Sequence, residues 1–226
     1  MVNINALGII FPNTYDELVP QLVKHRTMAS VPFGGRYRMI DFTLSGMVNA
    51  GIENVTVIAQ KNYHSLMDHL GSGREWDLVR KRGGLNIVPP YAQSQSKVYH
   101  GRVEALYSIV NFLAEQKEKY VVISDCNVAS DLNFAHLIDA HVKSGANVTM
   151  VYERAEIAKP ITTDNYTFTM DDAGRVTEIR WNDYRMGVQN LSMGVIGMDR
   201  EELIAMVKDA AVQNRLYLER DIVGAS

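Results

Sequence analysis

The 226-residue chain holds a single cysteine, Cys126. That excludes an intrachain disulfide framework and a thiolate metal cluster, and it suits a reducing cytoplasm. A basic excess is missing as well: 23 Lys and Arg stand against 26 Asp and Glu, a formal net charge of −3. Nucleic acids and membrane surfaces are usually met by a cationic surplus, so small molecules and other proteins are the expected partners. No apolar run has the length of a bilayer span, and the first residues do not read as a signal peptide. There is no internal repeat, low-complexity tract or linker. His25, His64, His69, His100, His136 and His141 lack metal-ligand spacing. Glycine is absent between Gly8 and Gly34, a gap that gains meaning below.

What is present is an ordinary globular composition, 46% hydrophobic and 22% charged, with chain enough for one sizeable core. The runs "NALGIIF", "NVTVIAQ", "KYVVISD" and "NVTMVYE" are short, β-branched and bounded by polar residues, and read as strands. Between them lie helical patterns. "RYRMIDFTLSGMVNAG" places Ile40, Leu44, Met47 and Val48 on one face, and "GRVEALYSIVNFLAEQ" does so with Val103, Leu106, Val110 and Leu113. "NFAHLIDAHVKSGA" and "REELIAMVKDAAVQ" continue the series. This alternation predicts βαβ crossovers and a doubly wound α/β domain. "YTFTMDDAGRVTEIRW" adds two alternating runs around a Gly-containing turn, an antiparallel hairpin, so the sheet is expected to be mixed. Gly71 to Val98 is the longest stretch read as irregular.

In open α/β sheets, ligands gather beyond the carboxyl ends of the strands. Gln60, Asp125, the turn from Gly101 to Glu104, and Ser192 to Gly194 all fall at such places. Asp125 could hold Mg²⁺ through its carboxylate, or simply cap a turn, the commoner role. Gln60 could read a base edge or sit solvated in a loop. In "VPFGGRYRMIDF", Gly34 and Gly35 permit close backbone approach, and Arg36 and Arg38 supply cations at a helix opening. That suits an anion as well as it suits a plain turn.

The string "VPFGGRYRMIDFTLSGMVNAGIENVTVIAQKNYHSLMDHL" closely resembles the sugar-nucleotide pyrophosphorylases, specifically the bacterial glucose-1-phosphate adenylyltransferases (ADP-glucose pyrophosphorylases). Their pattern "PFGG(K/R)(Y/F)RIIDF.LSN..NSGI", a strand ending in "TQ" and then "SH.L..H" are met by Arg36 to Phe42, Leu44, Ser45, Asn49, Gly51, Ile52, Gln60, His64, Leu66 and His69. Looser matches follow along essentially the whole chain. "HGRVEAL" resembles "RGTADA", keeping Gly101 and Ala105 and placing Glu104 at the acidic position. "VISDCNV" resembles "LAGDH" and retains Asp125, which the resemblance makes the metal aspartate. "SMGVIGM" resembles "SMGIYVF" and retains Ser192, Met193 and Gly194 near the expected sugar. The resemblance implies a Rossmann-like, glycosyltransferase-A-like nucleotidyltransferase domain over residues 1–226. It also implies Mg²⁺ as cofactor, and a chain that stops before the family's second metal aspartate and its left-handed β-helix domain.

The departures are as specific as the matches. Counted back from "PFGG", the family's phosphate motif Gly-Gly-x-Gly-Thr-Arg-Leu falls on Asn13, Thr14, Tyr15, Asp16, Glu17, Leu18 and Val19. Every glycine that would let backbone N–H groups approach a triphosphate is gone, and the arginine has become Leu18. Asp16 and Glu17 add carboxylates, expected to repel phosphates. Arg-Ala-Lys-Pro falls on "RTMA", keeping Arg26 but placing Met28 at the phosphate-facing lysine, and a later Glu-Lys pair falls on Trp181 and Asn182.

The residues therefore point to the family's degenerate D-type branch, a regulatory subunit in glycogen biosynthesis. Its expected partner is a catalytic paralogue, in a heterotetramer or homo-oligomer. Gln60, Gly101 and Arg38 are then vestigial nucleotide-binding candidates, and Glu104, Ser192 and Gly194 sugar-phosphate candidates, with ATP, ADP-glucose or glucose 1-phosphate as possible ligands. Two alternatives stand beside it. One is an active adenylyltransferase whose phosphate cradle uses Arg36, Arg38 and Lys61, and the other is a stand-alone module that senses a sugar phosphate.

Overall fold

The computed structural model describes residues 4–81, 83–89, 99, 101–159 and 165–223. In chain order the elements are β1 (Ala6–Phe11), β2 (Pro32–Phe33), β3 (Tyr37–Arg38), α1 (Met39–Asn49), β4 (Asn54–Ile58) and α2 (His64–Leu70). Next come β5 (Gly84–Val88), α3 (Arg102–Ser108), α4 (Val110–Glu115), β6 (Tyr120–Asp125) and α5 (Phe134–Ser144). The last are β7 (Val148–Ile157), β8 (Tyr166–Met170), β9 (Val176–Trp181), β10 (Gly187–Asp199) and α6 (Arg200–Val212).

Among the described residues, eight strands form one mixed sheet in the order β5-β4-β1-β6-β10-β8-β9, with β7 also paired to β10. β5, β4, β1 and β6 run parallel, and β10 pairs antiparallel with β6, β7 and β8. Successive strand residues point to opposite faces. Ala6 and Ile10 of β1 thus join one core with α1, α2 and α5, while Leu7, Ile9 and Phe11 join a second core with α3, α4 and α6. Burial on both faces is why β1, β4 and β6 read as unbroken apolar runs.

Local signals set the helix ends. Asn133 accepts from the backbone N–H groups of Ala135 and His136 at the start of α5, and Gly145 ends that helix at φ 63°. Asp199 caps α6 through the Glu201 N–H. Three expectations needed tertiary structure to correct them. The single helix read over residues 101–116 divides at Ile109, whose φ of −108° and ψ of 11° leave the helical region. There Ser108 donates its hydroxyl to the Ala105 carbonyl at 2.7 Å, just before β-branched Ile109 and Val110. The segment read as irregular from Gly71 holds β5, which closes the sheet edge beside β4. Residues 90–98 of that segment lie outside the described residues. The β2–β3 hairpin, which turns through Gly34 and Gly35 at φ 59° and 88°, was hidden in the glycine-rich helix opening.

After β1 the chain moves outward to β4 and β5, then returns to lay β6 on the other side of β1. The carboxyl ends of β1 and β6 therefore flank a topological switch point, where Phe11 is paired with Asp125. Such a crevice is where ligands bind in open sheets.

Candidate functional site

A cleft of about 590 Å³ opens at this switch point. Its walls come from three places: the loop after β1 (Asn13, Thr14, Tyr15, Glu17, Leu18), the turn after β4 (Gln60, Lys61), and the start of α3 (Gly101, Arg102). Tyr166, Trp181, Tyr217 and Glu219 close the far side.

The loop after β1 is bound to itself. The N–H groups of Asp16, Leu18 and Val19 donate to the carbonyls of Asn13, Tyr15 and Asp16 in successive short turns. Asp16 points inward: Oδ1 accepts from the Met28 N–H and Oδ2 from Asn13 Nδ2, both at 2.7 Å. Burial pushes this carboxyl above the usual range, against those two bonds. Asn13 also joins the loop to β4, accepting from the Gln60 N–H at 2.9 Å and donating to the Lys61 carbonyl at 3.0 Å. The expectation of two phosphate-repelling carboxylates is thereby revised. Only Glu17 faces solvent, 4.0 Å from Lys61 Nζ, while Asp16 bridges the loop to Met28.

Asp125 ends β6 buried behind the lining residues Thr14 and Arg102 and is not itself among those that line the cleft. Arg102 Nη2 donates to both of its oxygens, at 2.6 and 2.5 Å, and Thr14 donates to Oδ1 at 2.7 Å. Through Nη1 the same guanidinium pairs with Glu219, and it lies 5.4 Å from the centre of the Phe11 ring. Burial lowers the Arg102 pKa on its own, but the Asp125 and Glu219 charges more than offset it and the net direction is up. Burial raises the Asp125 carboxyl, which Arg102 and Thr14 oppose. Tyr15 is also raised, by burial first and then by the Asp125 charge.

The other sequence-derived candidates separate. Gln60 and Gly101 line the cleft. A Cβ on Gly101 would collide with the Leu216 carbonyl, so its small size admits the 216–222 segment. Gly194, at φ 67°, lies where a Cβ would collide with the Asp125 carboxylate, and its N–H donates to Ser192 Oγ at 3.2 Å. Arg38 is turned to α2, donating to the Ser65 carbonyl at 2.5 Å and hydroxyl at 2.8 Å. Glu104 is exposed in the first turn of α3. Arg38, Glu104, Ser192 and Gly194 are not among the residues that line the cleft.

Residues 19–179 match the family model described as "Nucleotidyl transferase". The chain belongs to the nucleotidyl transferase family. It is 40% identical over 158 residues to the "Glycogen biosynthesis protein GlgD" of Geobacillus stearothermophilus, covering 68% of this chain and 45% of that protein. The GlgD of Bacillus subtilis is 36% identical over 154 residues, with the same coverage of each chain. A "Glucose-1-phosphate adenylyltransferase" of Thermotoga neapolitana is 39% identical over 147 residues, 65% of this chain and 35% of that protein. The chain spans less than half the length of these relatives. No helix among the described residues is long and apolar enough to cross a membrane.

Two features of a phosphate-handling nucleotidyl transferase can be tested against this cleft. A triphosphate needs free N–H groups and unpaired cations. Here the loop N–H groups named above are used in turns, and the charged lining residues Lys61 and Arg102 face Glu17 and Glu219. Mg²⁺, implied at Asp125 by the family resemblance, needs carboxylate oxygens at about 2.0–2.1 Å in an octahedron. Both Asp125 oxygens are already taken by a guanidinium, and the residues as placed do not fit the ion. Arg102 falls inside the Gly101–Glu104 turn proposed from the sequence without being singled out there, and Glu219 was not proposed at all. A cation in the first turn of α3 opposes the helix dipole, and that misfit was a readable signal for Arg102. Glu219 lies 117 residues away and carried none.

Proposed function

We propose that this chain is a non-catalytic, regulatory subunit of the glucose-1-phosphate adenylyltransferase system of glycogen biosynthesis, acting on a paralogous chain that keeps an intact phosphate loop. The reaction, ATP with glucose 1-phosphate giving ADP-glucose and pyrophosphate, is catalysed by positioning the phosphates and stabilising their charge. The observation that carries the reading is the closed loop after β1. Asp16 bridges it to Met28, and the N–H groups of Asp16, Leu18 and Val19 bond within it, which takes those three from phosphate oxygens. The identities with proteins named for glycogen biosynthesis support the setting.

In this reading the chain works in the cytoplasm, in a heterotetramer or other hetero-oligomer. The cleft senses ATP, ADP-glucose or glucose 1-phosphate, and differential binding to two states alters the partner. An active enzyme with a substitute cradle draws less support. Of the three cations it would need, only Lys61 borders the cleft, while Arg36 lies beside Tyr37 and Arg38 is held by Ser65.

The test is pyrophosphate release from Mg²⁺-ATP and glucose 1-phosphate by the full-length protein, alone and mixed with its catalytic paralogue. Silence alone with a changed rate or effector response in the mixture is expected. Strong turnover alone would overturn the proposal. No effect in the mixture and no co-purification would favour a stand-alone sugar-phosphate-sensing module.

A further inference from the structure

We infer that Arg102 is a built-in cation, bound between Asp125 and Glu219 in the place that the family resemblance gives to a divalent metal ion. The group is mostly buried and borders the cleft through Thr14, Arg102 and Glu219. Arg102, Asp125 and Glu219 side chains are 12%, 1% and 5% exposed. Arg102 Nη2 donates to both Asp125 oxygens while Nη1 turns to Glu219, Thr14 holds one Asp125 oxygen from the loop after β1, and the Phe11 ring lies beside the guanidinium. Gly194 presses on the remaining side of the carboxylate, where even a methyl group would not fit.

The two terminal nitrogens of one rigid, planar cation each take a different carboxylate, Nη2 that of Asp125 and Nη1 that of Glu219, and a guanidinium does not lose its proton in a protein. A rise in pH therefore cannot clear Arg102 from Asp125, and at neutral pH a divalent ion reaches these oxygens only if the whole side chain leaves. Its departure would strand two buried carboxylates, which is the penalty that keeps it in place. The same two carboxylates, with the Thr14 hydroxyl, are hard oxygen donors of the kind that Mg²⁺ or Mn²⁺ takes. Deleting the guanidinium should convert the ion pair into a divalent-cation site. This assignment is independent of whether the chain turns over substrate.

The experiment is a Mn²⁺ titration of the full-length protein, read by the electron paramagnetic resonance of free Mn²⁺, on wild type, Asp125→Asn, Arg102→Gln, Arg102→Ala and the double variant Arg102→Ala/Asp125→Asn. Wild type should show no Mn²⁺ binding that Asp125→Asn removes. Either single variant should bind Mn²⁺ about tenfold or more tightly than wild type, and the double variant should lose the gain. Arg102→Gln is shorter and neutral but leaves a polar N–H donor and part of the stem in place, and it serves where the alanine variant does not fold. Mn²⁺ binding by wild type that depends on Asp125 would overturn the assignment, as would a folded Arg102 variant with no gain. Pyrophosphate release by a wild-type chain that binds no Mn²⁺ at Asp125 would sink the regulatory reading and leave the arginine assignment standing.

Discussion

Two neighbouring carboxylates in the loop after β1 have opposite fates, and the difference is one of direction. Asp16 is buried and accepts from Asn13 and from the Met28 N–H, whereas Glu17 is largely in water. Replacing Asp16 by alanine strands the Met28 donor and should lower stability by about 1–3 kcal/mol, whereas Glu17→Ala should leave the urea midpoint unchanged. Equal effects from the two variants would contradict the inward placement of Asp16. In the sequence the two positions are indistinguishable, because both are acidic and both follow the lost glycines. The loss of the glycines itself was legible, since no other residue type gives a loop the same backbone freedom.

The 216–222 segment is held together by its own capping carboxylate and touches Trp181 of β9 through Arg220. Asp221 accepts from the N–H groups of Leu216 and Tyr217 and from Arg220, whose guanidinium lies 4.2 Å from the centre of the Tyr217 ring and 4.8 Å from that of Trp181. Arg220 foremost, and then the two N–H groups, hold the Asp221 carboxyl at about 2, below its ordinary 3.8, against the opposing effect of burial. A depressed acid stabilises the folded form above its unfolded pKa and loses that contribution as pH falls through the folded value. The segment should therefore loosen between about pH 4 and pH 2, visible as a change in Trp181 fluorescence in a Trp76→Phe background. Asp221→Asn should remove the transition in that window, and an unaltered transition would show that another group governs it. Sequence periodicity could not find this element, because its cohesion comes from side-chain bonds to backbone and ring contacts, neither of which has a repeat. The helices α1, α5 and α6 were readable for the opposite reason: each turns one apolar stripe to a core every three to four residues.

At the scale of the whole molecule, the Arg102 cluster ties together β6, the loop after β1, the start of α3 and the 216–222 segment. Removing only the cation leaves two buried carboxylates facing each other. Arg102→Met should therefore cost about 3–5 kcal/mol of unfolding free energy, while the triple variant Arg102→Met/Asp125→Asn/Glu219→Gln, with no uncompensated charge, should recover much of it. Urea unfolding of the three proteins decides the matter, and a triple variant no more stable than Arg102→Met would mean that packing, not charge, dominates the cluster. Because the cluster spans the crevice, its loss should also loosen the cleft's far wall.

What the sequence determined by itself was the class of fold and the absence of a glycine-rich phosphate loop, and it placed Gln60 and Gly101 at the strand ends where the cleft opens. Each of these is written in neighbouring residues: apolar runs of strand length, stripes at helical spacing, and a glycine-free stretch after the first strand. Only the tertiary structure decided which carboxylate turned inward, that the Gly71 segment supplied an edge strand, and that a guanidinium stood at Asp125. The partners in that last case are 23 and 117 residues apart along the chain. No local pattern registers such a pairing, because the free energy that selects it, the desolvation of a charge and its recovery by an opposite one, exists only after the fold has removed the water between them.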